Sequence, residues 1–160
     1  MLKERVLQIT KEMVGIYSPT NTAEEQKVEA YLLKLLQDMP YFKEHPENCG
    51  AFACADDCFE RSTIYGLVEG KSKKTVVFMG HHDVVSTEVY GALENVATDV
   101  DALLVKLQSV ELNEEATADL ASGEWMWGRG TCDMKGGTAA QLAVLEKYSQ
   151  NPDVGSILFI

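Results

Sequence analysis

The stretch Val76-Val77-Phe78-Met79-Gly80-His81-His82-Asp83-Val84-Val85 constrains this chain more than any other. Four consecutive large apolar residues predict a strand buried on both faces. That strand runs into a glycine and then into three side chains able to hold a metal or move a proton. In open α/β sheets, ligands collect beyond the carboxyl ends of strands, so a site is expected here. His81 and Asp83 are two residues apart, and in extended backbone they point the same way. His82 then points the other way and is read as structural. A second polar cluster, Gly128-Arg129-Gly130-Thr131-Cys132-Asp133-Met134-Lys135-Gly136-Gly137, supplies a further carboxylate, Asp133, where a helix begins.

The length of 160 residues suits one domain with its own core. A net charge of −11 argues against nucleic acid and anionic membrane surfaces as partners. No apolar run approaches the roughly 20 residues a membrane span needs. Met1 to Arg5 is charged and helical in pattern rather than a secretory signal. A cytoplasmic protein with four reduced thiols is therefore expected.

Along the chain, Leu2, Val6, Ile9, Met13 and Ile16 form one helical stripe, broken at Ser18-Pro19-Thr20-Asn21. Thr22 and Glu25 have capping-box spacing and open a second helix, with Val28, Tyr31, Leu32, Leu35, Leu36 and Met39 inside and Pro40 at its end. Residues 41–61 are irregular and contain His45, Cys49, Cys54 and Cys58, a set that could form a small structural zinc module. The paired Cys-x₂₋₄-Cys spacing of such sites is missing, which favours ordinary loop thiols. Thr63 to Val68 reads as a strand, and its short polar connection to Thr75 predicts an antiparallel pair with the strand leading to His81. Residues 86–124 behave as an acidic helical insertion, with nine carboxylates against one lysine, one helix at Leu103–Leu107 and another at Asn113–Ala121 closed by Gly123. Trp125-Met126-Trp127 reads as a strand. Ala139 to Tyr148 reads as a helix that packs closely, and the Gly136-Gly137 pair in its first turn suggests close backbone approach to a site. Ser156 to Ile160 reads as another strand. This order predicts an α/β fold, a mixed β-sheet flanked by helices.

Gly80-His81-His82-Asp83-Val84-Val85, together with Gly128-Arg129-Gly130 and Asp133-Met134-Lys135-Gly136-Gly137, resembles the paired motifs of the aminoacylase, carboxypeptidase G and succinyl-diaminopimelate desuccinylase family. These are co-catalytic zinc peptidases and amidohydrolases. Ser18-Pro19-Thr20, Glu88-Val89-Tyr90-Gly91, Ser122-Gly123-Glu124-Trp125 and the acidic insertion resemble the arginine-utilisation branch of that family. The resemblance implies a zinc-exopeptidase-like catalytic domain over 1–160 and two divalent metal ions, zinc first, with cobalt or manganese as alternatives. It makes His81 a metal ligand, Asp83 the catalytic carboxylate that orients its imidazole, and Asp133 the bridge between two metals, followed by a cis peptide bond. It implies cleavage of an amide or peptide bond in a small-molecule, amino-acid-derived substrate, and a homodimer for the full-length form.

Arg129 is read as anchoring its turn and Cys132 as a packed thiol. The Asp-Glu-Glu-type cluster that carries the general base in such enzymes is absent, as are later ligands and the lid or dimerisation domain. The expectation is an N-terminal piece of a larger enzyme, inactive alone. A catalytically dead member acting as a binding or scaffold protein is the alternative of a different class.

Overall fold

Apolar residues at steps of three and four wind Leu2–Val14 into α1 of the computed structural model, which describes all of residues 1–160. Ile9, Met13 and Val14 are fully buried on its inner stripe. The second helix, α2 (Glu25–Asp38), buries Val28, Leu32 and Leu36. Pro40 has no N–H to continue that helix, and it instead opens the short α3 (Pro40–Glu44). Half of the expected capping box forms. Glu25 Oε1 accepts the backbone amides of Asn21 (2.8 Å) and Thr22 (3.4 Å), whereas the Thr22 hydroxyl donates to the Pro19 carbonyl.

Four strands build one mixed sheet: β1 (Cys49–Ala53), β2 (Ser62–Val68), β3 (Thr75–Phe78) and β4 (Ser156–Phe159), in the order β1-β2-β4-β3. β4 runs antiparallel to β2 and parallel to β3. Its insertion between them overturns the expected β2–β3 pair: they do run antiparallel, but each bonds to β4. A short polar turn fixes direction without fixing adjacency. The sheet buries alternate residues, Ile64, Val68, Ile157 and Phe159, in a core shared with α1, α2 and α6 (Gly136–Ser149), where Leu142 and Leu145 are fully buried.

Three expectations from composition fail for physical reasons. β3 is not buried on both faces, with Val76 57% and Val77 49% exposed, because it is the sheet's edge strand. Trp125-Met126-Trp127 pairs with no strand, and Trp125 is exposed. The 41–61 segment is more regular than its composition suggests, since it carries β1. There Cys49 is buried in the core, while Cys54 and Cys58 are exposed on the following loop. His45 lies tilted against the Tyr41 ring, 4.7 Å between centres, and 3.8 Å from Glu47. These placements disperse the four side chains of the supposed zinc module. The acidic segment 86–124 is helical as read, with α4 (Val100–Leu107) capped by Asp99 and α5 (Glu114–Ser122) capped by Asn113 and closed by Gly123 at φ 68°. No helix is long and apolar enough to cross a membrane.

The glycine pair at the start of α6 has a local cause. A Cβ at Gly136 would stand 2.3 Å from the Thr131 carbonyl oxygen, so the close approach is to the chain's own preceding turn. At Gly137 a Cβ would meet only the Met134 methyl at 3.5 Å. Gly136→Ala should cost about 2 kcal/mol or more through this overlap. Gly137→Ala should gain about 0.5–1 kcal/mol from helix propensity. Urea midpoints at constant slope measure both, and equal effects would contradict the assignment.

Candidate metal centre

After β3, the backbone stays close to the sheet for two residues, with the Gly80 amide donating to the Ile160 carbonyl at 3.2 Å. A Cβ at Gly80 would sit 2.9 Å from the Thr138 hydroxyl, so only glycine lets α6 come this near. Beyond it, residues 82–84 lie alongside Ser18-Pro19-Thr20. Val84 N–H donates to the Ser18 carbonyl (2.9 Å), Thr20 N–H donates to the Val84 carbonyl (3.0 Å), and the Ser18 hydroxyl donates to the His82 carbonyl (2.7 Å). The segment read as a helix breaker is thus also a strap that fixes the histidine loop.

The two motifs converge. His81 Nε2 lies 2.9 Å from Asp133 Oδ1. Its other nitrogen, Nδ1, lies 3.1 Å from both the carbonyl and the Oδ1 of Asp83. Asp83 Oδ2 in turn accepts from the Thr20 hydroxyl at 2.5 Å. Partial burial works against charge on His81, but Asp133 and Asp83 outweigh it and raise its pKa. Burial also opposes charge on Asp83, yet Thr20 and His81 hold its carboxyl below the usual range.

Asp133 sits in a wide turn closed by the Lys135 amide on the Gly130 carbonyl at 2.9 Å. Gly130 takes φ 85°, and a Cβ there would be 2.6 Å from Val84. The Asp133–Met134 peptide bond is cis. The Asp133 side chain is 85% exposed, so its carboxylate is open to further partners. Two donors on one zinc, at 2.0–2.1 Å and the tetrahedral angle, stand about 3.3 Å apart. The observed 2.9 Å is a few tenths of an ångström from that spacing, and an imidazole nitrogen with a carboxylate oxygen is a donor set zinc, cobalt or manganese accepts.

Around the pair, Lys135 is the residue whose role the sequence did not announce. Lys135 has no exposed surface and donates to the Met13 (2.9 Å) and Ile16 (2.6 Å) carbonyls at the end of α1. Burial pushes its pKa down to about 8. Cys132 is exposed rather than packed. The Arg129 amide anchors its turn on the Ala97 carbonyl at 2.7 Å, as expected, but its guanidinium lies over the Tyr90 ring. His82 points away from the His81–Asp133 pair, as alternation requires, toward Glu25 (3.9 Å) and Glu29 (3.7 Å) on α2. Glu25 is ion-paired with Arg61 at 3.0 Å. His82 Nε2 and Glu29 Oε1 are buried without hydrogen-bond partners. Burial lowers the His82 pKa and raises that of Glu29.

A buried carboxyl held above its ordinary value of 4.5 weakens the fold while it is ionised, and the penalty vanishes as pH falls through that raised value. Glu29→Gln should therefore stabilise the chain by about 1 kcal/mol at pH 8. The advantage should shrink toward zero below the ordinary carboxylate value. Urea unfolding at both pH extremes checks this, and a variant less stable than wild type at pH 8 would contradict it.

Residues 77–160, just over half of the chain, match the peptidase family M20/M25/M40. The chain is 32% identical over 161 residues to Protein RocB of Bacillus subtilis (strain 168), an alignment covering 98% of this chain and 28% of RocB. It is 36% identical over 161 residues to Uncharacterized protein YqjN of the same organism, covering 99% of this chain and 29% of YqjN. The chain thus spans less than a third of the length of these relatives. By the match of its second half, which carries both converging motifs, the chain belongs to peptidase family M20/M25/M40.

Proposed function

We propose that His81 and Asp133 are metal ligands of a hydrolase that cleaves an amide or peptide bond in a small amino-acid-derived substrate. The observation that carries this reading is the 2.9 Å approach of His81 Nε2 to Asp133 Oδ1, delivered from two separate motifs. Asp83 is the carboxylate that fixes the imidazole. Sitting on Nδ1, it favours the tautomer that keeps the proton there, which would leave Nε2 able to ligate an ion that it shares with Asp133. Thr20 holds Asp83 in place, so the imidazole plane is set by a relay of three side chains. The largely exposed carboxylate of Asp133 has a second oxygen free, which suits a bridging position between two ions. Divalent ions held there, zinc before cobalt or manganese, would polarise an amide carbonyl and acidify a bound water.

The finer version of this reading is a substrate from arginine breakdown, handled in the cytoplasm. The nine carboxylates of residues 86–124 would favour the approach of a cationic molecule. The four unpaired thiols are in keeping with a reducing compartment.

Equilibrium dialysis against Zn²⁺ tests the ligand assignment. His81→Ala and Asp133→Asn should each weaken zinc retention by about tenfold or more relative to wild type. The same samples should be assayed for amine release from N-acyl amino acids and arginine-containing dipeptides. Equal zinc retention in all three proteins, or metal-dependent turnover that survives Asp133→Asn, would contradict the reading.

A further inference from the structure

One oxygen of Glu25 collects three donors. Glu25 opens α2 and is buried. Its Oε1 accepts from the Asn21 amide (2.8 Å), the Thr22 amide (3.4 Å) and Arg61 Nη1 (3.0 Å). The same Nη1 also reaches Asn21 Oδ1, at 3.4 Å. Asp57 grips the other side of the guanidinium, at Nε (2.9 Å) and Nη2 (2.6 Å). A planar fork held in this way presents its remaining N–H in a fixed direction, and hydrogen bonds to a charged acceptor are strong. Residues 57–61 thus deliver a cation to a carboxylate that also holds two backbone amides of the turn before α2.

That turn leads straight to the candidate centre. Asn21 sits at φ 60°, a left-handed conformation that a residue with a Cβ adopts where its neighbours enforce it. Thr20 and Asn21 are both exposed, so hydrogen bonds rather than packing set their positions. Thr20 is gripped from two sides: its own amide is tied to the Val84 carbonyl (3.0 Å), and the next two amides are tied to Glu25. The Thr22 hydroxyl closes the turn on the Pro19 carbonyl at 2.7 Å. Held so, the Thr20 hydroxyl reaches Asp83 Oδ2 at 2.5 Å, and Asp83 Oδ1 lies 3.1 Å from His81 Nδ1. From Arg61 to the imidazole, every link but the Asn21 turn itself is a hydrogen bond or ion pair.

We propose that Glu25 is a positioning residue for the His81 imidazole: it holds the Asn21 turn, the turn keeps the Thr20 hydroxyl on Asp83, and Asp83 keeps the ring aimed at Asp133. This rests on the reading of His81 and Asp133 as metal ligands. Glu25 touches neither of them and acts only through Thr20 and Asp83. Arg61 fixes the carboxylate of Glu25, so residues 57–61, although remote from both motifs in the sequence, belong to the support of the centre. Outer partners that orient a ligating histidine commonly set metal affinity as well.

The probe is the His81 ring Cε1–H resonance of the ¹³C-labelled, metal-free chain, assigned by its loss in His81→Gln. Thr20→Val, which removes the hydroxyl, should displace it. Glu25→Ala and Asn21→Val should displace it in the same direction, the latter because a β-branched residue resists positive φ. Asn21→Gly should leave it in place, since glycine keeps the turn. Asn21→Val spares Glu25 and the start of α2, so it carries the test if Glu25→Ala does not fold. The Thr20→Val/Glu25→Ala double variant should match Thr20→Val alone, because both changes act through one hydroxyl. Glu25→Ala should also weaken zinc binding by about tenfold. A carboxylate that merely caps α2 would lower the urea midpoint and leave the ring resonance unmoved. A resonance unmoved in Glu25→Ala or Asn21→Val, or displacements that add in the double variant, would overturn the proposal. So would a Glu25→Ala chain that holds zinc as tightly as wild type while His81→Ala does not. Because the ring is read without metal, its failure to move bears on Glu25 alone, whereas failure of the ligand assignment appears in zinc retention by His81→Ala.

Discussion

A lysine with no exposed surface holds the two halves of the site in register. Burying an ammonium is expensive unless its donors are bonded, and Lys135 meets that demand with the carbonyls of Met13 and Ile16. Those carbonyls lie at and just beyond the C-terminal end of α1, where the helix dipole favours a cation. The bond pins the Asp133 turn to α1, and the residues just after α1 are the Ser18–Thr20 strap that holds the His82–Val84 backbone. One side chain therefore links two motifs that are 52 residues apart at His81 and Asp133.

Much of the core was legible in the sequence because helical periodicity carries its own evidence. The stripes of α1 and α2, and the Asn113 and Gly123 ends of α5, follow from local residue order alone. Sheet membership does not. Val76-Val77-Phe78 is as apolar as a central strand, but β4 arrives from the far end of the chain and takes the inner position. Trp125-Met126-Trp127 has strand composition and no neighbour to bond. Cys49 reads as a loop thiol until β2 gives its segment a partner. In each case the deciding contact is non-local, and a window of ten residues holds no record of it.

At the candidate site, alternation alone separated His81 from His82, and the resemblance of the two motifs to a known family pointed to Asp83 and Asp133. The supporting residues were less visible. Thr20 lies in a segment that reads as a helix breaker, and its hydroxyl finds Asp83 only after the chain has turned back on itself. Gly136 reads as a ligand-approach glycine, yet the atom it makes room for is the Thr131 carbonyl of its own turn. Arg129 reads as a turn anchor, which its amide is, while its guanidinium lies over the Tyr90 ring, a contact that no local pattern announces.

In the proposed centre, His81 and Asp133 would present an imidazole nitrogen and a carboxylate oxygen to one divalent ion. X-ray absorption at the zinc edge of the zinc-loaded chain measures that donor set directly. A first shell of nitrogen and oxygen at about 2.0–2.1 Å, with the imidazole scattering lost in His81→Ala, is the predicted result. A shell containing sulfur at about 2.3 Å that survives His81→Ala would place zinc on the cysteines and contradict the account.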